Sequence, residues 1–209
     1  MVTNGHFEMD KYDASPTRSS LLDVMDYDHL NVRSIVLQGE NFSFNDEFNN
    51  NNFKLSGTIK HLAAQEDCGF SLVHAEVGQL SLTDTMASLV NTKIQTNNTS
   101  LGDTIQFKYS GYRDFRSFED SVDMDIRLNL GSQLQLSDLR YFDKNIAENE
   151  FFKTNATEIT SVKALIHGKV DRLRADNLEL RLGNSTYIAC DFRGNGLNSQ
   201  GTQSLNFAF

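Results

Sequence analysis

Val122-Asp123-Met124-Asp125-Ile126-Arg127-Leu128-Asn129-Leu130 decides the fold class. Every even position is apolar and every odd one is charged or carries an amide. Successive side chains of a strand point to opposite faces, so this stretch is a strand with one dry face and one wet face. Leu134 and Leu136 continue at the same parity. A two-residue turn at Gly131-Ser132 would carry Leu134 to the wet face. A three-residue loop over 131–133 pairs Leu130 with Leu134 and keeps one face dry. A single continuous strand also keeps parity, but it exceeds the usual ~3–10 residues. The three-residue loop is therefore the expectation.

The same grammar recurs downstream. Leu178, Leu180 and Leu182 alternate with Glu179 and Arg181, and Thr186, Ile188, Cys190 and Phe192 follow Gly183-Asn184-Ser185 in matched parity. Upstream, 29–37 is apolar at Leu30 and Val32, then at Ile35 and Leu37, a phase shift that predicts a β-bulge. Further strands are expected over 54–62, 68–72, 77–82, 89–96 and 104–109. Two stretches break the pattern. Tyr112, Phe115 and Phe118 recur every three residues and suit a short helix over 112–121. Residues 141–152 suit a second short helix or a covering loop. Residues 1–20 read as an irregular segment, and 21–209 as one elongated module of about ten to twelve strands. The fold class is all-β.

Composition agrees. The chain holds 15 Phe, one Pro and no Trp among 209 residues, which suits long uninterrupted strands. Its net charge of −9 argues against nucleic acid, whose phosphates require clustered Lys and Arg. No run approaches the ~20 apolar residues of a membrane helix, and 1–10 lack the basic start and apolar core of a secretory signal. The final Asn206-Phe207-Ala208-Phe209 reads as a strand in progress, which implies a segment of a longer protein.

Little in the sequence points to chemistry. His6, His29, His61, His74 and His167 fit no ligand spacing, so a metal site would need convergence from distant strands. Cys68 and Cys190 match no zinc or redox motif. Asp123 and Asp125 lie on the wet face. Gly194-Asn195-Gly196 lacks the third glycine and the helix of a dinucleotide fold, and no Gly-x-Ser-x-Gly elbow occurs. No catalytic residue, cofactor or metal is implied. What remains is the dry face, lined by Val122, Met124, Ile126, Leu128, Leu130, Leu134, Leu136, Leu178, Leu180, Leu182, Ile188 and Phe192. It is either a core covered by a second sheet or the wall of an open trough, and composition does not choose.

An ordered series of short segments resembles a known family. It runs from Asp26-Tyr27-Asp28-His29-Leu30-Asn31-Val32 through Ile59-Lys60-His61-Leu62-Ala63 and Gly69-Phe70-Ser71-Leu72. It continues through Leu136-Ser137-Asp138-Leu139-Arg140-Tyr141-Phe142, Ile166-His167-Gly168-Lys169-Val170-Asp171 and Leu180-Arg181-Leu182-Gly183-Asn184-Ser185. Over about residues 21–197 the chain resembles the bacterial TamB (translocation and assembly module) proteins and the wider AsmA-like superfamily. The resemblance implies an elongated sheet curled into an apolar groove, called a β-taco. It also implies a periplasmic protein anchored in the inner membrane by a helix outside this segment. The expected partner is phospholipid or another acyl-chain lipid, with an outer-membrane barrel-assembly protein engaged through regions not in this chain. A module that pairs its strand edges with outer-membrane proteins, and an unrelated β-sandwich binding module, are the alternatives.

Overall fold

Alternating strands that each turn back on the one before can only build an antiparallel meander, and that is the observed sheet. The computed structural model describes residues 1–10, 23–45, 53–142, 147–183, 186–196 and 204–209. Its strands are β1 (Val2–Asp10), β2 (His29–Asn45), β3 (Lys54–Glu66), β4 (Ser71–Thr83), β5 (Met86–Gln95), β6 (Ser100–Lys108), β7 (Asp123–Leu128), β8 (Gln133–Gln135), β9 (Ile159–Lys169), β10 (Arg172–Leu182), β11 (Thr186–Asn195) and β12 (Ser204–Ala208). They form one 12-stranded sheet in sequence order, with β8 pairing β6 and β9. The protein is thus all-β, an elongated and curled antiparallel sheet. The helical pieces are short: a 3-10 turn (Tyr112–Ser117), α1 (Phe118–Ser121), α2 (Leu136–Leu139) and α3 (Glu150–Thr154).

Several sequence expectations change. Val2–Asp10 is a strand and not an irregular segment, because β2 supplies a partner (Met9 opposite Leu30, Phe7 opposite Val32) that local sequence does not show. The expected 68–72 and 77–82 strands are one, β4. The Leu130–Leu134 hairpin does not form. β7 and β8 lie end to end in one lane between β6 and β9, with Asp103 opposite Leu128 and Ser100 opposite Gln133. The lane carries two more residues than either neighbour across 129–132. An even excess preserves parity, so Leu134 stays on the face of Leu128 although no hairpin intervenes. Leu136 begins α2 and is not a strand residue. The hairpin expected around 183–185 does form, with Leu182 opposite Thr186 and Leu180 opposite Ile188. The loop tips at 49–52 and 184–185 lie outside the described residues.

Long strands here are bent strands. The phase shift at 32–35 is a bulge, with the register slipping between Arg33 and Val36 and Ser34 at φ 53. The same device recurs in a column across the sheet. Asn91 (φ 54) interrupts β5, Asp103 (φ 147) stands in β6, 129–132 loops out of the β7–β8 lane, and Asn177 (φ 51) interrupts β10. Gly78 of β4 faces Asn91, and a Cβ there would lie 2.9 Å from the Asn91 Cβ. Bulges bend a strand and increase its twist, so an aligned column creases the sheet. Asn tolerates the left-handed conformation better than most residues, which gives a physical role to part of the chain's Asn content.

One hairpin depends on a glycine. Gly168, φ +97, precedes the β9–β10 turn, and a Cβ there would sit 2.4 Å from the Arg172 carbonyl oxygen. Gly168→Ala is expected to cost about 1–3 kcal/mol of stability, read as a lower urea midpoint with an unchanged slope.

Candidate functional site

Directly opposed residues of antiparallel strands share a face, so register alone traces the dry face. One rung runs Leu80, Leu89, Ile105, Ile126, Ile166, Ala175, Phe192 and Phe207 across eight strands. On the other side of the crease a second rung runs Val2, Leu37, Leu62, Ala75, Ile94 and Leu101. In β4 and β5 the bulge switches parity between Leu80 and Ala75 and between Leu89 and Ile94, while β6 keeps parity from Ile105 to Leu101, so both rungs lie on one face. Two apolar walls therefore meet along a line running across the strands.

Aromatic clusters stand at the strand ends beside each wall. At one end the 3-10 turn and α1 pack onto the sheet. Phe118 meets Phe107 edge-on at 5.6 Å, and Tyr109 meets Phe115 at 4.9 Å. Beneath them Val122 and Ala87 are buried with Tyr109, against Leu82. The Tyr109 hydroxyl donates to the Thr83 carbonyl at 2.8 Å, and burial pushes its phenol pKa up. At the other end α2 begins with buried Leu136 and the Thr96 hydroxyl donates to Asp138 Oδ2 at 2.6 Å. Tyr141 and Phe142 then close on Phe70, with ring centroids 5.8 and 5.2 Å away. The Met25 amide donates to the Tyr141 carbonyl at 2.7 Å. This second segment thus ties the β8–β9 region back to the β3–β4 turn.

Between these ends the walls are only half-covered. Among the described residues the buried apolar class contains Ala75, Ala87, Ala164, Ala175, Val77, Val122, Met124, Tyr109, Cys190 and a single leucine, Leu136. No described Ile or Phe belongs to it. A closed core of this size buries its Ile, Leu and Phe first. Toward the sheet margins the apolar face opens further, with Phe44 at 64%, Leu205 at 56% and Phe207 at 52% exposed.

The sequence-derived lining distributes as follows. Met124, Ile126, Leu128, Leu134, Leu178, Leu180, Leu182, Ile188 and Phe192 share the dry face by register. Val122 is fully buried under the aromatic end, and Leu136 is buried at the other. Leu130 leaves the face. It is 73% exposed on the looped-out 129–132 and borders a depression shared with Arg127, Lys163 and Leu165. Sequence reading missed Leu80, Leu89, Ile105 and Ile166 as one rung, because parity within a strand does not disclose which residues of neighbouring strands stand opposite one another.

The opposite face is wet and paired. Lys163 bonds Glu179 at 2.6 Å, and Arg181 stacks on the Tyr187 ring at 4.7 Å. Cys68 and Cys190 are both free. Burial, then the Glu66 carboxylate beside it, pushes the Cys68 thiol up to about 11, which keeps it protonated and a poor nucleophile at neutral pH. Among the described residues no helix is long and apolar enough to cross a membrane. Comparison with protein-family models, curated proteins and solved structures gave no match.

Proposed function

We propose that this chain is a groove segment of a periplasmic envelope-biogenesis protein that holds phospholipid acyl chains and passes them between the inner and outer membranes. The observation that carries the reading is the eight-strand apolar rung whose Ile, Leu and Phe residues remain partly exposed. Seven inter-strand steps of about 4.8 Å make that rung about 34 Å long. The hydrocarbon core of a bilayer is about 30 Å thick, two acyl chains end to end, so the wall is long enough for more than one acyl chain in line and exceeds a small ligand. Each CH₂ placed on such a wall gains up to ~0.8 kcal/mol. Hydrophobic contact has no preferred direction along the wall, so a chain held strongly is still free to slide. The TamB-like segment order supports the cellular setting of this proposal.

A second reading has one observation of its own. β12, Ser-Leu-Asn-Phe-Ala, carries no charged residue and, among the described strands, pairs with β11 alone, and uncharged strands accept added strands. An outer-membrane protein strand is the partner it would take.

The two separate in one measurement. Native mass spectrometry of the purified chain is expected to show co-purifying phospholipid, and the delipidated chain to bind a fluorescent fatty acid. Neither signal, together with binding of an outer-membrane β-strand peptide, would decide for the second reading.

A further inference from the structure

Two histidines that sequence spacing leaves unrelated meet on the wet face. His61 of β3 and His74 of β4 lie near mirror positions about the turn at 67–70, and Leu62 opposite Ala75 fixes their register. Their Nδ1 atoms are 2.7 Å apart. The ring centroids are 5.0 Å apart and the planes differ by 24°. That separation equals the nitrogen gap plus one ring radius at each end. The rings therefore meet nitrogen to nitrogen, almost in one plane, and do not stack face on face.

Such an arrangement has a definite chemistry. In the metal-free pair one Nδ1 carries a proton and donates it to the lone pair of the other. Moving that proton through solvent to the same ring's Nε2 leaves two neutral imidazole lone pairs at the facing Nδ1 atoms. We propose that His61 and His74 form a two-imidazole site for a divalent late transition-metal ion, with zinc or copper the best match to imidazole donors. Two nitrogens on a tetrahedral zinc at 2.0–2.1 Å lie about 3.3 Å apart. The pair must open by about 0.6 Å to reach that spacing, and each ring must turn by roughly 35° to aim its lone pair at the ion.

The surroundings favour a cation. Glu76 Oε2 lies 3.9 Å from His74 Nε2, on the ring edge away from the pair. At that distance the carboxylate is a charge neighbour and not a hydrogen-bond partner, and its negative charge favours a cation on the pair. His74 is 25% exposed, so water reaches the remaining coordination positions. Among the described residues no group of three or more His, Cys, Asp or Glu is arranged around one ion, so water completes the shell. Among the described residues on the adjoining strands, Lys93 stands opposite Glu76 and Lys60 is held by Glu40 at 3.0 Å. The ion would clip β3 to β4 where their register slips three times.

The test is a zinc titration of the purified chain against a chromogenic chelator, with imidazole NMR spectra recorded alongside. One equivalent should bind and shift the His61 and His74 ring signals. His61→Gln or His74→Gln should weaken binding at least about tenfold, no less than the loss of a supporting partner does. Cys68→Ser should bind as tightly as the parent. Zinc should raise the thermal midpoint of the parent and not of either His variant. Ring signals unmoved by zinc in the parent chain would overturn the proposal whether or not the variants fold. Unchanged affinity in both folded variants would overturn it too, leaving a hydrogen-bonded imidazole pair only.

Discussion

Val122→Asp is expected to cost more than about 4 kcal/mol of stability and to lower the urea midpoint sharply. Val122 has no exposed surface and sits beneath the aromatic end with Ala87 and Tyr109, close to Phe118 and Phe107. Removing a fully buried Val forfeits about 1.5–3 kcal/mol of burial. The carboxylate then lies among rings and aliphatic carbon, where an unpaired charge costs several kcal/mol more. Together they exceed ~4 kcal/mol, a large part of the ~5–15 kcal/mol that holds a domain together. Val122→Ala should cost only about 2 kcal/mol, because it removes two methyl groups and leaves a small cavity. Urea unfolding followed by circular dichroism reads both. A Val122→Asp midpoint equal to that of the parent would mean that the 3-10 turn and α1 do not seal this end.

That residue also shows how much the sequence discloses. Alternation over 122–130 was enough to fix strand, dry face and all-β class. It did not separate Val122, buried under a helical cover, from Ile126, four residues on and half-exposed in the wall. Parity repeats every two residues, whereas the aromatic cover is set by how the 3-10 turn and α1 fold Phe118 back onto Phe107. The hairpin expected at 131–133 failed for a related reason. Parity excludes odd slips only, and two looped-out residues satisfy it as well as a three-residue turn does. Leu130 was lost from the dry face by that ambiguity.

The bulges were legible once and missed elsewhere. At Val32 and Ile35 the apolar residues on both sides are large, and the phase shift is visible. At Gly78 and Asn91 the shift falls among Gln, Gly and Thr, and 77–82 and 89–96 read as regular strands with no bulge. Yet the unread bulges crease the sheet. Without them Ala75 and Val77 would face away from Leu80 and Leu82. The two-wall geometry thus depends on a column of Asn, Asp and Gly that hydropathy alone passes over.

Ile126→Asp combined with Ile166→Asp is expected to abolish acyl-chain binding in a protein that still folds. The two side chains oppose each other at the centre of the eight-strand rung, flanked by Ile105 and Ala175. Both are half-buried, so in the empty groove the new carboxylates keep water, and the fold loses partial Ile burial together with up to about 1 kcal/mol of repulsion between the opposed charges. An acyl chain crossing that point must strip the water away, and an unpaired charge left without it costs several kcal/mol. A loss of only 2.8 kcal/mol would already weaken binding about a hundredfold. Arg127→Ala, beside Ile126 on the wet face, should bind as the parent does. Fluorescent fatty-acid titration of the folded variants measures both. Retained binding in the double Asp variant would remove this rung from any lipid path and leave the strand-pairing edge as the working surface. Loss in the double variant alone would place the chain along the line from Leu80 to Phe207, because no other feature of the dry face is altered.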